Sequence, residues 1–264
     1  MRIALALCVI FLLLAPFVLH EDPLAQDRGE ILAAPTAVHW FGTDDYGRDL
    51  WARFLHGGRW SLGVGISATA LCLSLAWIIG TAAAMFPAWG AVLMWVADLF
   101  LCLPWLYLLI AARAALPLEL DPRAAFATLL LLLALTGWAR PARLVRGRVL
   151  EVKQRGYVQA AIGFGVPRAR VFVRHILPAT GDLLAAQIMI LLPRFVLAEL
   201  TLTFLGAGAA DPWPSWGGLI APLKQVYLIG PQWWRLLPML AMIPFFALAA
   251  IASRAWESRF RLVR

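Results

Sequence analysis

Six stretches of this chain, 3–19, 61–85, 91–112, 124–139, 183–205 and 236–253, are almost wholly apolar, and a helix needs about 17–25 such residues to cross a bilayer. No other feature restricts the fold as much. Of the 264 residues, 62% are hydrophobic and 14% charged, against about 25% charged in soluble domains, and the mean hydropathy is +0.78. The sequence therefore predicts an all-α polytopic membrane protein with six transmembrane helices. The first run follows Arg2 as a signal peptide would. No small-x-small cleavage pattern comes after it and it is long for an h-region, so it is read as a helix. The fourth is short and draws on flanking residues or local bilayer thinning to span. Cys8, Cys72 and Cys102 lie inside apolar runs, poorly placed to pair or to hold a metal, and read as buried apolar residues.

A net charge of +8 raises the question of nucleic acid, but membrane proteins gather Lys and Arg in cytoplasmic loops for insertion reasons alone. Between the fourth and fifth runs lie Arg140, Arg143, Arg146, Arg148, Lys153, Arg155, Arg168, Arg170 and Arg174, opposed by Glu151 and Asp182. The tail adds Arg254, Arg259, Arg261 and Arg264. Both segments are expected in the cytoplasm, which with six spans places both termini there and residues 20–60 outside; nucleic acid is not implied. The reading divides the chain in two. Residues 1–60 hold a helix, an outer loop and an interfacial helix, and residues 61–264 hold five helices with a cytoplasmic loop at 140–182 and an outer loop at 206–235.

The outer segment contains "HWFGTDDYGRDLWARF", His39 to Phe54. Gly42-Thr43-Asp44 is turn chemistry in which Asp or Thr can cap a following helix. Leu50, Trp51, Phe54 and Leu55 then recur at helical spacing, predicting an amphipathic helix in the outer headgroup layer before Gly57-Gly58 releases the chain into the second span. The carboxylates suggest a metal, but His20, His39 and His56 are not paired at metal-ligand spacing.

The 140–182 loop is long for a connector. "RVLEVKQRGYVQAAIGF", from Arg148, reads as helix interrupted at Gly156; Gly165-Val166-Pro167 breaks it and "RARVFVRHI" resumes before Pro178. Within it, "YVQAAIGFGVPRARVFVRHILP" resembles the coupling loop of ABC importer permeases, whose pattern is E-A-A, three residues, G, nine residues, I-x-L-P. The 39–54 segment is similar to the H-x-L/F-G-T-D-x-x-G-R-D form of C-type subunits of dipeptide, oligopeptide and nickel importers. It carries Gly42, Thr43, Asp44, Gly47, Arg48 and Asp49. A third stretch, "AELTLTFLGAGAADPWPSWGGLI", resembles the same family's outer loop through Gly206, Gly208, Pro214, Ser215, Trp216 and Gly217, and would serve equally as a Trp-rich interfacial anchor.

The resemblance implies a type I ABC importer permease fold. Tyr157, Gln159, Ala160, Ala161, Gly165, His175, Leu177 and Pro178 would then form the coupling element seated on a separate ATPase. Gln159 stands where the family has glutamate, and a neutral amide forms no charge-assisted pair. In the third run Trp95 takes an arginine position, so the family's short-range arginine partner for Asp98 is lost. The resemblance further implies a homologous B-type subunit, two ATP-binding subunits using ATP and Mg2+, and an extracytoplasmic solute-binding protein, in a bacterial or archaeal cytoplasmic membrane. The solute would be di- or oligopeptides, with nickel or another small solute as the alternative.

Ionisable groups within spans are functional candidates because lipid penalises them; Asp98, Arg194 and Glu199 qualify as pathway residues. Arg194 and Glu199 are five residues apart and fall on different faces. No catalytic residues are expected. A P-loop needs Lys followed by Ser or Thr, whereas Lys153 and Lys224 each precede glutamine, so ATP hydrolysis belongs to another chain. The rival of another class is an ion-gradient-driven secondary transporter, which should show internal repeats, broken helices and mid-membrane ion ligands.

Overall fold

The structure is a computed structural model, and it describes residues 2–19, 22–115, 121–208, 212–225 and 230–261. Eleven α-helices are assigned among them: α1 (Arg2–Leu19), α2 (Leu50–Met85), α3 (Pro87–Cys102), α4 (Trp105–Ala114), α5 (Pro122–Gly137), α6 (Ala139–Lys153), α7 (Gly156–Gly163), α8 (Arg168–Val171), α9 (Leu177–Phe204), α10 (Trp216–Ile220) and α11 (Leu237–Arg261). Three helical stretches are long and apolar enough to cross a membrane by themselves: Leu50–Met85, Arg168–Phe204 and Trp233–Arg254. The bent pairs α3–α4 and α5–α6 bring the number to five. With α1, the expectation of six is compatible with this count.

The 36-residue α2 is the axis on which α1, α3, α5, α6, α9 and α10 pack. It begins eleven residues before the predicted second span and runs through Gly57-Gly58 without a break, so no separate interfacial helix precedes it. Those glycines do not release the chain. They admit a neighbour: a Cβ on Gly57 would lie 3.0 Å from the Ser215 carbonyl carbon, and one on Gly58 3.1 Å from the Trp216 indole. Farther along, a Cβ on Gly80 would lie 2.4 Å from the Ala142 carbonyl oxygen, so the α2–α6 crossing depends on the missing side chain. The helix also crosses the expected 60/61 boundary unbroken.

Proline decides the other departures. Leu103, which precedes Pro104, takes φ −85°, ψ 137°, the extended conformation that proline's Cδ imposes on its predecessor, and α3 and α4 meet at 87°. The third span is therefore broken, contrary to the sequence reading. Pro178 does the reverse of what the sequence suggested. It does not end a helix, because α8, a π turn at Phe172–Ile176 and α9 form one 37-residue helix. Having no N–H, Pro178 cannot donate to the carbonyl of Arg174, and the ladder widens there, with Leu177 N–H reaching back to Phe172 O. Much of the supposed 140–182 loop is likewise helix, since α6 continues α5 after a 49° bend. Its buried Ala142, Val145, Val149 and Val152 recur at helical spacing, and the three valines pack against Ala84, Val158, Val171 and Ile176.

Candidate functional site

At the basic end, α7 is a two-turn helix packed through Val158 into the cluster of Ala84, Val145, Val149, Val152, Val171 and Ile176. Val158 is fully buried, while Phe164 is 89% exposed and Tyr157 and Ile162 are exposed. Gly165 ends α7 at φ +77°. Gly165 N–H bonds Ile162 O at 3.0 Å and Val166 N–H bonds Ala161 O at 3.1 Å, the paired bonds of a Schellman cap. Ala160 and Gly165 are exposed beside Phe164, leaving a low surface for an approaching partner. The Gln159 amide donates to Lys153 O at 2.6 Å, closing the C-terminus of α6. A carboxylate has no proton for that bond, which gives the departure from glutamate a local structural basis. Tyr157 packs against His175, ring centroids 5.7 Å apart, tying α7 to the π turn; Leu177 and Pro178 form the first turn of α9. Glu151 joins Arg148 and Arg155, each at 2.8 Å. Hydrogen bonds from Arg155 and then Arg148 hold its carboxyl below the usual carboxylate range.

At the opposite end, segments far apart in sequence meet. Gly42 and Gly47 both have φ +73°, and a Cβ on Gly47 would fall 1.9 Å from Asp27 O, so the turn closes only around glycine. Thr43 Oγ1 accepts from Ala33 N–H at 2.8 Å and donates to Glu30 O. Asp44 accepts from the backbone N–H groups of Tyr46 and Arg48 at 2.9 and 3.0 Å and from Arg48 Nε at 2.7 Å. Asp49 caps α2 through Ala52 N–H at 2.7 Å and meets His39 Nδ1 at 2.6 Å, while Glu30 lies 3.0 Å from His39 Nε2. Asp44 and Asp49 are thus consumed in folding their own turn and capping its helix. Among the described residues no three His, Cys, Asp or Glu side chains converge as a metal-ligand set.

The third segment docks onto this turn's helix. Gly206, at φ +84°, ends α9 in a second Schellman cap, with Ala207 N–H on Leu202 O at 2.8 Å and Gly206 N–H on Thr203 O at 2.9 Å. Gly208 and Gly217 both close on Thr203, where added Cβ atoms would lie 1.8 and 2.5 Å away. Pro214 leads into Ser215, whose Oγ caps α10 through Gly218 N–H at 3.1 Å. Trp216 is fully buried. Its ring stacks on Phe54 at 5.7 Å and meets Phe245 edge-on at 5.6 Å, and its Nε1 donates to Phe54 O at 3.0 Å.

The three charged span residues separate. Glu199 is fully buried; its Oε1 accepts from Thr203 Oγ1 at 3.0 Å, and its buried Oε2 has no hydrogen-bond partner. Ser61 Oγ receives Trp216 N–H at 3.2 Å. The structure thus places Glu199, expected from the sequence to line the pathway, in the core near the end of α9. Arg194 lies over the Trp105 ring at 4.4 Å. Asp98 pairs with Arg143 of α6, a partner 45 residues away that replaces the short-range arginine the sequence lacks. Both members are about half-exposed, 43% and 48%. A double-mutant cycle with Asp98→Asn and Arg143→Gln, read from thermal midpoints, should therefore give a coupling of no more than about 1 kcal/mol. Sequence reasoning missed Ser61, Arg143 and Arg235 as partners; each is unremarkable locally and acquires its role from another helix.

Residues 72–261 match the family described as the inner membrane component of binding-protein-dependent transport systems. The chain belongs to that family. This permease is 35% identical over 246 residues, 91% of the chain and 80% of the relative, to a putative peptide transport system permease protein of Brucella suis biovar 1 (strain 1330). It is 33% identical to the dipeptide transport system permease protein DppC of Bacillus subtilis (strain 168), over 84% of the chain and 68% of the relative. With the probable D,D-dipeptide transport system permease protein DdpC of Escherichia coli (strain K12) the identity is 32%, over 88% and 76%. The permease is thus a multi-pass membrane subunit of an ABC importer. As the family implies, such importers work with ATPase and binding-protein subunits.

Proposed function

We propose that this permease is the C-type subunit of an importer for di- or oligopeptides and that its basic end, with both termini, faces the cytoplasm. The Schellman-capped α7, presenting Phe164 beside small residues, carries the reading: it is a rigid exposed peg suited to a groove on an ATPase subunit. A homologous B-type subunit completes the pathway, two ATPases use ATP and Mg2+, and the loops at the acidic end receive an extracytoplasmic binding protein. ATP-driven closure moves α7, and α8–α9, continuous with its elbow, transmits that displacement to the spans. Peptide is preferred to nickel because the relatives named above are called peptide or dipeptide permeases.

Purified with its co-expressed partner subunits, a Phe164→Cys variant should cross-link to the ATPase, and uptake in proteoliposomes should be competed by dipeptides and not by Ni2+. If no ATPase copurifies, the importer assembly is wrong. Competition by Ni2+ alone would replace the peptide reading with the metal one.

A further inference from the structure

Between the 42–49 turn, the start of α2, α10 and the 3-10 turn Trp233–Leu236 lies a cavity of about 300 Å³. Its rim is open, with Tyr46 and Trp213 exposed. Its wall carries Arg48, Arg53 and Arg235, each no more than 6% exposed, and two carboxylates, Asp44 and Asp45. Asp44 is engaged by Arg48 at 2.7 Å and Arg53 at 3.7 Å. Arg53 also donates to Pro23 O and Pro212 O, each at 3.3 Å. Arg235 meets Asp45 through Nη2, but its buried Nε has no hydrogen-bond partner. The unmatched donor thus belongs to Arg235, a side chain only 5% exposed.

Guanidinium is a planar fork whose natural complement is a carboxylate, and a buried charge left short of partners is unfavourable. We propose that this cavity binds a carboxylate on Arg235, with Asp45 as an internal competitor for the same guanidinium. The volume is at the lower end of small-molecule sites, suited to a carboxyl group with a few carbons. Two sources carry that chemistry: the free carboxyl of the transported solute, which rests on the peptide reading, and an acidic side chain of the docking binding protein.

Two variants with opposite expected signs test the site in the purified importer complex, using acetate as the probe in saturation-transfer NMR. Arg235→Gln should reduce transfer to the acetate methyl several-fold. Asp45→Asn, which removes the competitor, should increase it. A merely structural Arg235–Asp45 pair would make both variants change in the same direction or leave both at the wild-type signal, and either result overturns the proposal. The acetate readout does not depend on what the importer carries, so it stands if the peptide reading falls. The sources separate in transport assays. If the solute's carboxyl is bound, Arg235→Gln abolishes discrimination between a free peptide and its C-terminal amide at unchanged KM for the loaded binding protein; if a binding-protein side chain is bound, that KM rises several-fold and free acid and amide are affected alike.

Discussion

Replacing Trp216 with alanine is expected to lower the stability of the solubilised permease by about 3–5 kcal/mol, the range for emptying a large aromatic site in a core. The indole is the largest fully buried side chain among the described residues. It fills the space left by Gly58, stacks on Phe54, meets Phe245 edge-on and donates to Phe54 O. Its removal would leave that carbonyl unpaired and detach α10 from α2. Fluorescence-detected size exclusion after graded heating measures the effect. Trp216→Phe should recover part of the loss, because stacking survives and the hydrogen bond does not. An alanine variant as heat-stable as the parent would mean that the outer loop contributes nothing to holding α2, α9 and α11 together.

Gly165→Val should abolish most ATP-driven uptake while the permease still folds and inserts. A Cβ at this position meets nothing within 4 Å, so crowding is not the obstacle. The obstacle is φ +77°, a left-handed conformation that costs an ordinary L-residue about 1–2 kcal/mol and is a genuine outlier for a β-branched one. Valine would unwind the Schellman cap and re-aim α7 relative to α8. Asparagine visits this region readily, so Gly165→Asn should retain most uptake. The measurement is binding-protein-stimulated ATPase and uptake in proteoliposomes. Equal activity in the valine and asparagine variants would remove the elbow from the coupling mechanism.

Much of this was legible before any coordinates. Apolar runs located the helices, since a chain must bury backbone polar groups within helices wherever lipid surrounds it. The glycines at 42 and 165 were legible as a turn and a helix end because local backbone conformation favours glycine there. Where the reading failed, the deciding contact was distant. Gly57 and Gly58 look like a hinge until Ser215 and Trp216 are seen against them. Pro178 looks like a stop until α9 is seen to absorb it through a π turn. Glu199 reads from the sequence as an isolated charge in a span, and only the structure buries it beside Thr203.

The stretch from His39 to Phe54 shows the division most clearly. Its sequence alone determined a capped turn, because Asp44 and Asp49 act on backbone groups within a few residues of themselves. That the turn lies beside Arg235, nearly two hundred residues on, and that its helix carries Trp216 were decided only by tertiary packing. Charge pairing and aromatic stacking act through space at a few ångströms, and which residues come that close is settled by how the helices cross.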